Sequence, residues 1–522
     1  MLFAILIGLA TSARAQSPPP PATLAELQQR LAEQIAHPRF AAAAWGVKVV
    51  SLDSGRTLFE HNAGKLFSPA SNCKLYTMAL ALDHLGGDYR IKTSLYAAAK
   101  PDRRGVLKSD LILYGRGDPA INARLNGDDI LRALEPFVAV LANAGVRRIR
   151  GDLVGDESFF RGPPYGSGWA WEDLNDYYGA EISALTINDN TLQLGVLPGP
   201  VVGSPCQLTL SPATDYVILS NRTQTVAPGP RREITANRPL GQYVIYVTGQ
   251  LPVGDTNFTE QVTVANPAGL FVMLFKEALA RHGIRVDGKT RTLNGLHPPV
   301  PPVDISRLVE LGSVHSLPMR EIVREVQKPS QNLYTDLVLA HIGAREQERR
   351  ARIRREATVS AIIHGEDSEV DARESSEATG IRELEKFLAK AGVPQGEVQF
   401  EEGSGLSRNN LATPNATIAL LQFMSRHAEA DAYLNALPVA GVDGTLRHRM
   451  KDPPAAGNVR AKTGTLRWAS SLAGHVTTAA GERLVFCIIL NRYAAPDAEH
   501  SGRAEIDRMA GMLAEFAGHT VQ

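Results

Sequence analysis

Residues 68–75 read Ser68-Pro69-Ala70-Ser71-Asn72-Cys73-Lys74-Leu75. Leu75, Met78, Ala79 and Leu82 follow at i, i+3, i+4 and i+7, the spacing of one helical face, so a helix opened by Ser71 is expected. Ser71 and Lys74, three apart, then lie one turn apart on the same side. A serine hydroxyl is a poor nucleophile until a nearby base takes its proton, and a lysine held neutral by its surroundings can be that base. Alone, Ser-x-x-Lys says little. Average composition yields roughly one or two matches in a chain this long, and an exposed helix start with a solvated lysine would produce the same letters. Its weight comes from residues further along.

The chain has 522 residues, too many for one ordinary domain, with 55 basic residues against 55 acidic ones. That balance gives no support for nucleic-acid binding or for an anionic membrane surface. Met1 to Ala10 is an apolar run too short to span a bilayer. Ala13 and Ala15 suit cleavage after Ala15, so residues 1–15 are expected to be an export signal and the mature protein periplasmic. No positive segment precedes the run, and the true start is expected further upstream. Cys73, Cys206 and Cys487 are far apart and odd in number, and nothing requires a disulfide. There is no His-Glu-x-x-His and no paired Cys-x-x-Cys; neither metal nor cofactor is expected.

Thr23-Leu24-Ala25-Glu26 is a capping box before an amphipathic helix. Residues 46–52 and 57–59 read as a hairpin turned at Asp53-Ser54-Gly55, leading into the Ser71 helix. From about Tyr89 the texture becomes mixed α/β, with strands at 91–98, 106–113 and 148–154 and a helix at 129–144. Trp169 to Asn190 reads as a surface loop region, and 192–262 as a small β-rich module. A helix returns at 266–283, and a linker at 298–302 leads to another body. Short helices are expected at 317–326, 332–342, 383–391 and 415–426. The charged stretch Ala344 to Arg373 reads as a solvated surface insertion. Strands at 472–476 and 484–490 and a helix at 504–516 close the chain.

Two later elements complete Ser71 and Lys74. Ser330-Gln331-Asn332 is a Ser-x-Asn between helical segments, a weak pattern that Ser407-Arg408-Asn409 also matches; either could simply be a turn or helix cap. Lys462-Thr463-Gly464-Thr465 holds the only Lys-Thr-Gly, expected by chance in roughly one chain of this size in ten. An ordinary edge strand with a glycine bulge is its alternative reading.

Ser-x-x-Lys, Ser-x-Asn and Lys-Thr-Gly in this order form the active-site set of penicillin-binding proteins and serine β-lactamases. The flanking stretches Pro69-Ala70-Ser71, Gly117-Asp118-Pro119, Gly403-Ser404-Gly405-Leu406-Ser407-Arg408 and Leu437 to Leu446 resemble the low-molecular-mass class C penicillin-binding proteins. These are D-alanyl-D-alanine carboxypeptidases/endopeptidases of peptidase family S13, and the resemblance covers nearly the whole mature chain. It implies an α/β (α+β) fold. A transpeptidase-like domain (16–90 and 305–522), an antiparallel sheet flanked by helices, would carry an inserted α/β domain (91–191 and 263–304) with a nested β-rich domain (192–262). Three departures stand out, one being the charged stretch Ala344 to Arg373, longer than the family's usual connection. Glu402 occupies a position where the family usually shows Asp, and Cys73, inside Ser-x-x-Lys, carries a thiol that could be oxidised.

The resemblance also assigns roles. Ser71 would attack a D-Ala-D-Ala carbonyl, with Lys74 as general base, its proton affinity lowered by Lys462 and partial burial. Ser330 would relay the proton to the leaving amine and Asn332 would orient Lys74. Lys462, Thr463 and Thr465 would bind the terminal carboxylate, Gly464 completing the motif, and N–H groups of Ser71 and Thr465 would form the oxyanion hole. Arg408, with Trp169, Trp171 and Asp173, would line a pocket for a diaminopimelic side chain; a domain-interface role is its alternative. Partners would be peptidoglycan stem peptides and β-lactam antibiotics; the oligomeric state is open, a homodimer being compatible. A β-lactamase or D-amino-acid amidase would use the same serine and lysine. A silent wall-binding protein would have no need of the base.

Overall fold

The computed structural model describes residues 19–229, 231–294, 304–358 and 374–520. The expected export signal, the linker at 298–302 and the latter part of the charged stretch lie outside them. No helix of the described residues is long and apolar enough to cross a membrane.

The two ends of the chain build one sheet. Strand Ala44–Ser51 pairs antiparallel with both Thr57–His61 and Arg483–Asn491, and the order continues through Ala469–Thr477 to Arg460–Leu466. Alternation along Arg483–Asn491 buries both faces. Val485, Cys487 and Ile489 join the core beneath helices Cys73–Leu85, Met319–Gln327 and Pro414–Met424. Leu484, Phe486, Ile488 and Leu490 meet helices Leu24–Ala36 and Gly502–Glu515 on the other side. The Thr23–Glu26 capping box forms as expected.

A second, mixed five-stranded sheet lies in the intervening chain, ordered Thr290–Leu293, Leu153–Asp156, Leu111–Tyr114, Lys92–Ala97, Val309–His315. Helices Ile130–Asn143 and Pro267–Arg281 contribute Phe137, Phe271 and Phe275 to its core. Val309–His315 is a finding against the expected return to the catalytic body at 305: its register on Lys92–Ala97 keeps it in the second sheet, and the crossing comes with helix Met319–Gln327. Between Thr191 and Thr263 two three-stranded sheets form. Leu192, Leu194, Ile245 and Val247 share the core of the mixed sheet rather than enclosing one of their own.

The charged stretch departs from its reading. Helix Asn332–Thr358 runs straight into it, with Ala344, Glu346 and Gln347 buried. Arg349 and Arg350 neutralise Glu346, and Gln347 Nε2 donates to Thr379 Oγ1 at 2.8 Å. Local pairing thus gives a core-facing side to a segment without an apolar stripe.

Candidate active site

Three elements converge on Ser71. The first is a 3-10 turn, Ala70–Asn72, that precedes helix Cys73–Leu85, so Ser71 sits just ahead of the α-helix it was expected to open. Ala70 is left-handed at φ +49°, a costly conformation for a residue with a Cβ and one that persists only where surroundings enforce it. The enforcement is visible. Asn491 Oδ1 accepts from Ser68 N at 2.8 Å while its Nδ2 donates to Ser68 O at 3.1 Å, and Ser471 Oγ donates to Pro69 O at 2.7 Å. The chain is fastened to the sheet at the two residues that lead into its strained one.

The second element is the Lys-Thr-Gly strand, Arg460–Leu466, at the sheet edge. A Cβ on Gly464 would lie 2.5 Å from Pro69 O and collide with Ser471 Oγ. The strand therefore lies directly against the nucleophile turn, and only glycine permits it.

The third element is the turn between helices Met319–Gln327 and Asn332–Thr358 that carries Ser330 at φ +67°. Its support is the 437–446 stretch: Lys328 Nζ donates to Leu437 O and to both Asp443 oxygens, and Thr445 N donates to Lys328 O. Thr445 Oγ1 also meets Thr463 Oγ1 at 2.8 Å. These supporting residues escaped a sequence-based role; the 437–446 motif was visible but its partner, Lys328, was not.

Lys74 is fully buried. Its Nζ donates to Ser71 Oγ at 3.1 Å, Asn332 Oδ1 at 2.6 Å and Ser404 O at 2.6 Å. Burial lowers its proton affinity, bringing it down to about 8 against the opposing pull of Asp336 and Glu402. The expected contribution of Lys462 is not what lowers it. The coupling falls on the other lysine: Lys462, also fully buried, is driven well below the usual lysine range by burial and then by Lys74. Two buried ammonium groups facing one another cannot both stay charged cheaply. Lys462 Nζ donates to Ser330 Oγ and Thr463 O, each at 2.7 Å, which joins Ser330 to the strand.

Ser407-Arg408-Asn409, the competing Ser-x-Asn, lies in another loop. Ser407 Oγ donates to Glu401 at 3.0 Å. Glu402 is buried and accepts from Ser404 N, Ser404 Oγ, Gly405 N, Ser407 N and Asn410 Nδ2. It folds the loop so that Ser404 O reaches Lys74, and Gly405 passes so close to Ala70 O that a Cβ would collide. Cys73 is buried, its thiol pushed well above the usual range chiefly by burial, so it does not offer the thiolate that oxidation needs. Burial thus counts against the oxidation expected of that thiol.

Ser71, Ser330, Asn332, Thr463 and Thr465 line a cleft of about 1090 Å³, together with Asp173, Arg408, Tyr177 and Tyr178. Asn332 Nδ2 donates to Tyr178 O at 3.0 Å, so the intervening region closes one side. Arg408 Nη1 donates to the buried Asp173 Oδ2 at 3.1 Å. Trp169 and Trp171 are outside the lining: the Trp169 ring packs on Gly166, and Trp171 is 78% exposed. Tyr177 and Tyr178 take the wall expected of them. Arg324, Arg447, Arg449, Arg467 and Arg503 also line the cleft, a field suited to a substrate that carries carboxylates.

Comparison with known proteins places the chain in a family. The model of the D-Ala-D-Ala carboxypeptidase 3 (S13) family matches residues 27–364 and 358–515. A D-alanyl-D-alanine carboxypeptidase of Actinomadura sp. (strain R39) is 33% identical over 509 residues, 95% of this chain and 86% of that protein. The D-alanyl-D-alanine carboxypeptidase DacB of Haemophilus influenzae is 26% identical over 86% of this chain and 85% of its own length. The crystal structure of penicillin binding protein 4 (dacB) from H. influenzae superposes with a TM-score of 0.76 at 23% identity, covering 95% of this chain and all of that one, which establishes the shared fold. With its nucleophile turn, buried lysine pair and Lys-Thr-Gly edge strand in place, the chain belongs to the D-Ala-D-Ala carboxypeptidase 3 (S13) family.

Proposed function

We propose that the protein is a serine-type D-Ala-D-Ala carboxypeptidase and D,D-endopeptidase of the periplasm, acting on peptidoglycan stem peptides through an acyl-enzyme on Ser71. The observation that carries this is the position of Lys74 Nζ, 3.1 Å from Ser71 Oγ and held by Asn332 and Ser404. Burial brings the lysine within reach of its neutral form near physiological pH, where a general base is most effective.

In the first step Lys74 takes the Ser71 proton as Oγ bonds to the penultimate D-Ala carbonyl. N–H groups of Ser71 and Thr465 stabilise the oxyanion, each donor worth about 3 kcal/mol. The proton reaches the leaving amine through Ser330, which Lys462 holds at 2.7 Å. The substrate's terminal carboxylate docks at Thr463 and Thr465; the negative charge raises the proton affinity of Lys462 and restores its charge when it is needed. Water then hydrolyses the ester. A β-lactam acylates the same serine, but its leaving group stays tethered, so the adduct persists. Arg408, braced by Asp173, presents a planar guanidinium to a carboxylate on the substrate side chain.

Release of D-Ala from a stem pentapeptide, and cleavage of a cross-linked dimer, test the reading with the Ser71→Ala variant alongside. Both activities should vanish in the variant. Hydrolysis of a penicillin with no action on either peptide would replace this reading by a β-lactamase.

A further inference from the structure

Asp336 stands one turn beyond Asn332 on the same helix, on the side that faces Lys74. It is 3% exposed, and neither carboxyl oxygen finds a hydrogen-bond donor among the described residues. An ionised carboxylate in that position would lack the hydrogen bonds that normally offset burial. Its close neighbour is Glu402, whose two oxygens already collect five N–H or O–H donors, so that of the two carboxyl groups Glu402 is the one whose negative charge is met by donors. Two carboxyl groups can hydrogen-bond only if one of them carries a proton.

The other charged and titratable groups push the same way. Glu377, on helix Ser376–Lys390, adds a second negative field. On its far side Asp336 borders a cavity of about 120 Å³ lined also by Glu157, Glu181 and Glu377, with Arg161 the cation there. Glu181 and Glu377 take hydrogen bonds of their own from Tyr165 and Ser167. Helix Cys73–Leu85 contributes Lys74 and the un-ionised Cys73 thiol. Lys74 favours an ionised Asp336, but its charge is already balanced by Glu402.

We propose that Asp336 is a neutral carboxylic acid that donates its proton to Glu402, and that this neutrality leaves Lys74 free to act as a base. The inference rests on the reading of Lys74 as the base for acylation. The pair Lys74 and Asp336 can share its last proton in two ways: neutral amine with carboxylic acid, or ammonium with carboxylate. Only the first can deprotonate Ser71. In the acylation step the serine proton moves to the Lys74 amine as the Oγ–C bond forms; Asp336 keeps its own proton throughout. Asp336 is thus a positioning residue that acts through charge on the base, not on the reacting atoms.

The test compares wild type with Asp336→Asn, which keeps a donor toward Glu402 and can never ionise, and Asp336→Leu, which has no donor. Difference infrared spectra at neutral pH should show a protonated-carboxyl stretch in wild type that is absent from Asp336→Asn. Acylation by a chromogenic cephalosporin should fall roughly tenfold in Asp336→Leu, and Asp336→Asn should recover most of that loss. The acid limb of the acylation–pH profile should have the same midpoint in wild type and Asp336→Asn.

Carboxylate bands in place of the acid band, or an acid limb that drops by more than about one pH unit in Asp336→Asn, would overturn the proposal, because either marks an ionised Asp336 in the working enzyme. If neither variant folds, the wild-type profile still decides: an acid limb at about 8 supports the proposal, and one above about 10 means that an ionised Asp336 pins the ammonium. Lys74→Ala separates the two levels. Undiminished acylation there would remove the base reading, whereas the infrared result on Asp336 would stand by itself.

Discussion

Lys74 Nζ donates to Asn332 Oδ1 across 2.6 Å, although 258 residues separate them in the chain. The bond closes the circuit between the nucleophile helix and the body that returns after the intervening sheet. It also fixes which way the ammonium points, toward Ser71 Oγ. The base is therefore positioned by residues that the chain reaches only after building another domain-sized body.

Burial of Lys74 gives a pH dependence with a definite sign. The base works only when neutral, and burial lowers its proton affinity to about 8. Acylation should rise with pH on an acid limb with its midpoint near that value, measured with a chromogenic β-lactam under conditions where acylation limits. Lys74→Ala should lower the rate by roughly 10²–10⁴-fold and erase the limb.

Gly464 predicts a steric outcome. Adding a Cβ presses on Pro69 O and Ser471 Oγ, both part of the fastening of the nucleophile turn. Gly464→Ala should fold, keep its circular dichroism spectrum, and lose acylation by roughly 100-fold, the usual consequence of moving a reacting group by about 1 Å. An acylation rate within threefold of wild type would show that the strand and the turn separate freely.

Arg408 and Asp173 form a pair whose roles a peptide assay can separate. Arg408→Ala should reduce the preference for side chains ending in a free carboxylate by about tenfold or more, the scale of one charge-assisted hydrogen bond. Acylation by a penicillin lacking that side chain should change little. Equal losses on both would mean that the pair merely holds the interface together.

His341 predicts how the protein fails in acid. Its Nδ1–H donates to Arg116 O and its Nε2 accepts from the Tyr89 hydroxyl, each at 2.8 Å, which fixes the neutral tautomer. Burial lowers its proton affinity from 6.5 to about 3. The folded value lies below the unfolded one, so the contribution is complete above pH 6.5 and is lost progressively as pH falls toward 3. Roughly 5 kcal/mol of stability should disappear over that window. Denaturant unfolding should show a distinctly shallower pH slope between those limits in His341→Gln than in wild type.

The letters of the chain disclosed what depends on local pattern. The Thr23–Glu26 cap, the hairpin after Ala44 and the strand expected at 484–490 are short-range, and they form where expected. Ser71, Lys74, Ser330, Asn332 and Lys462 could be named because their chemistry is rare in combination. What stayed hidden was pairing at a distance. Nothing near Val309–His315 announces Lys92–Ala97 as its partner. The charged run after Ala344 has no apolar stripe, since Arg349, Arg350 and Gln347 supply its packing through polar contacts. Trp169 and Trp171 were named with Asp173 as pocket lining, but the loop turns Asp173 toward the cleft beside Tyr177 and Tyr178 and leaves both tryptophans out. For Lys74 the expected burial is what lowers its proton affinity, whereas the share given to Lys462 was misassigned, because which of two buried lysines bears their repulsion is set by the tertiary fold and is not written in the motif.

The most direct test of the central claim is the intact mass of the protein after brief exposure to benzylpenicillin, with Ser71→Ala treated in parallel. A persistent gain equal to one penicillin in wild type, absent from the variant, is the predicted result. A gain of equal size in Ser71→Ala, or consumption of the penicillin with no adduct on wild type, would contradict a persistent acyl-enzyme on Ser71.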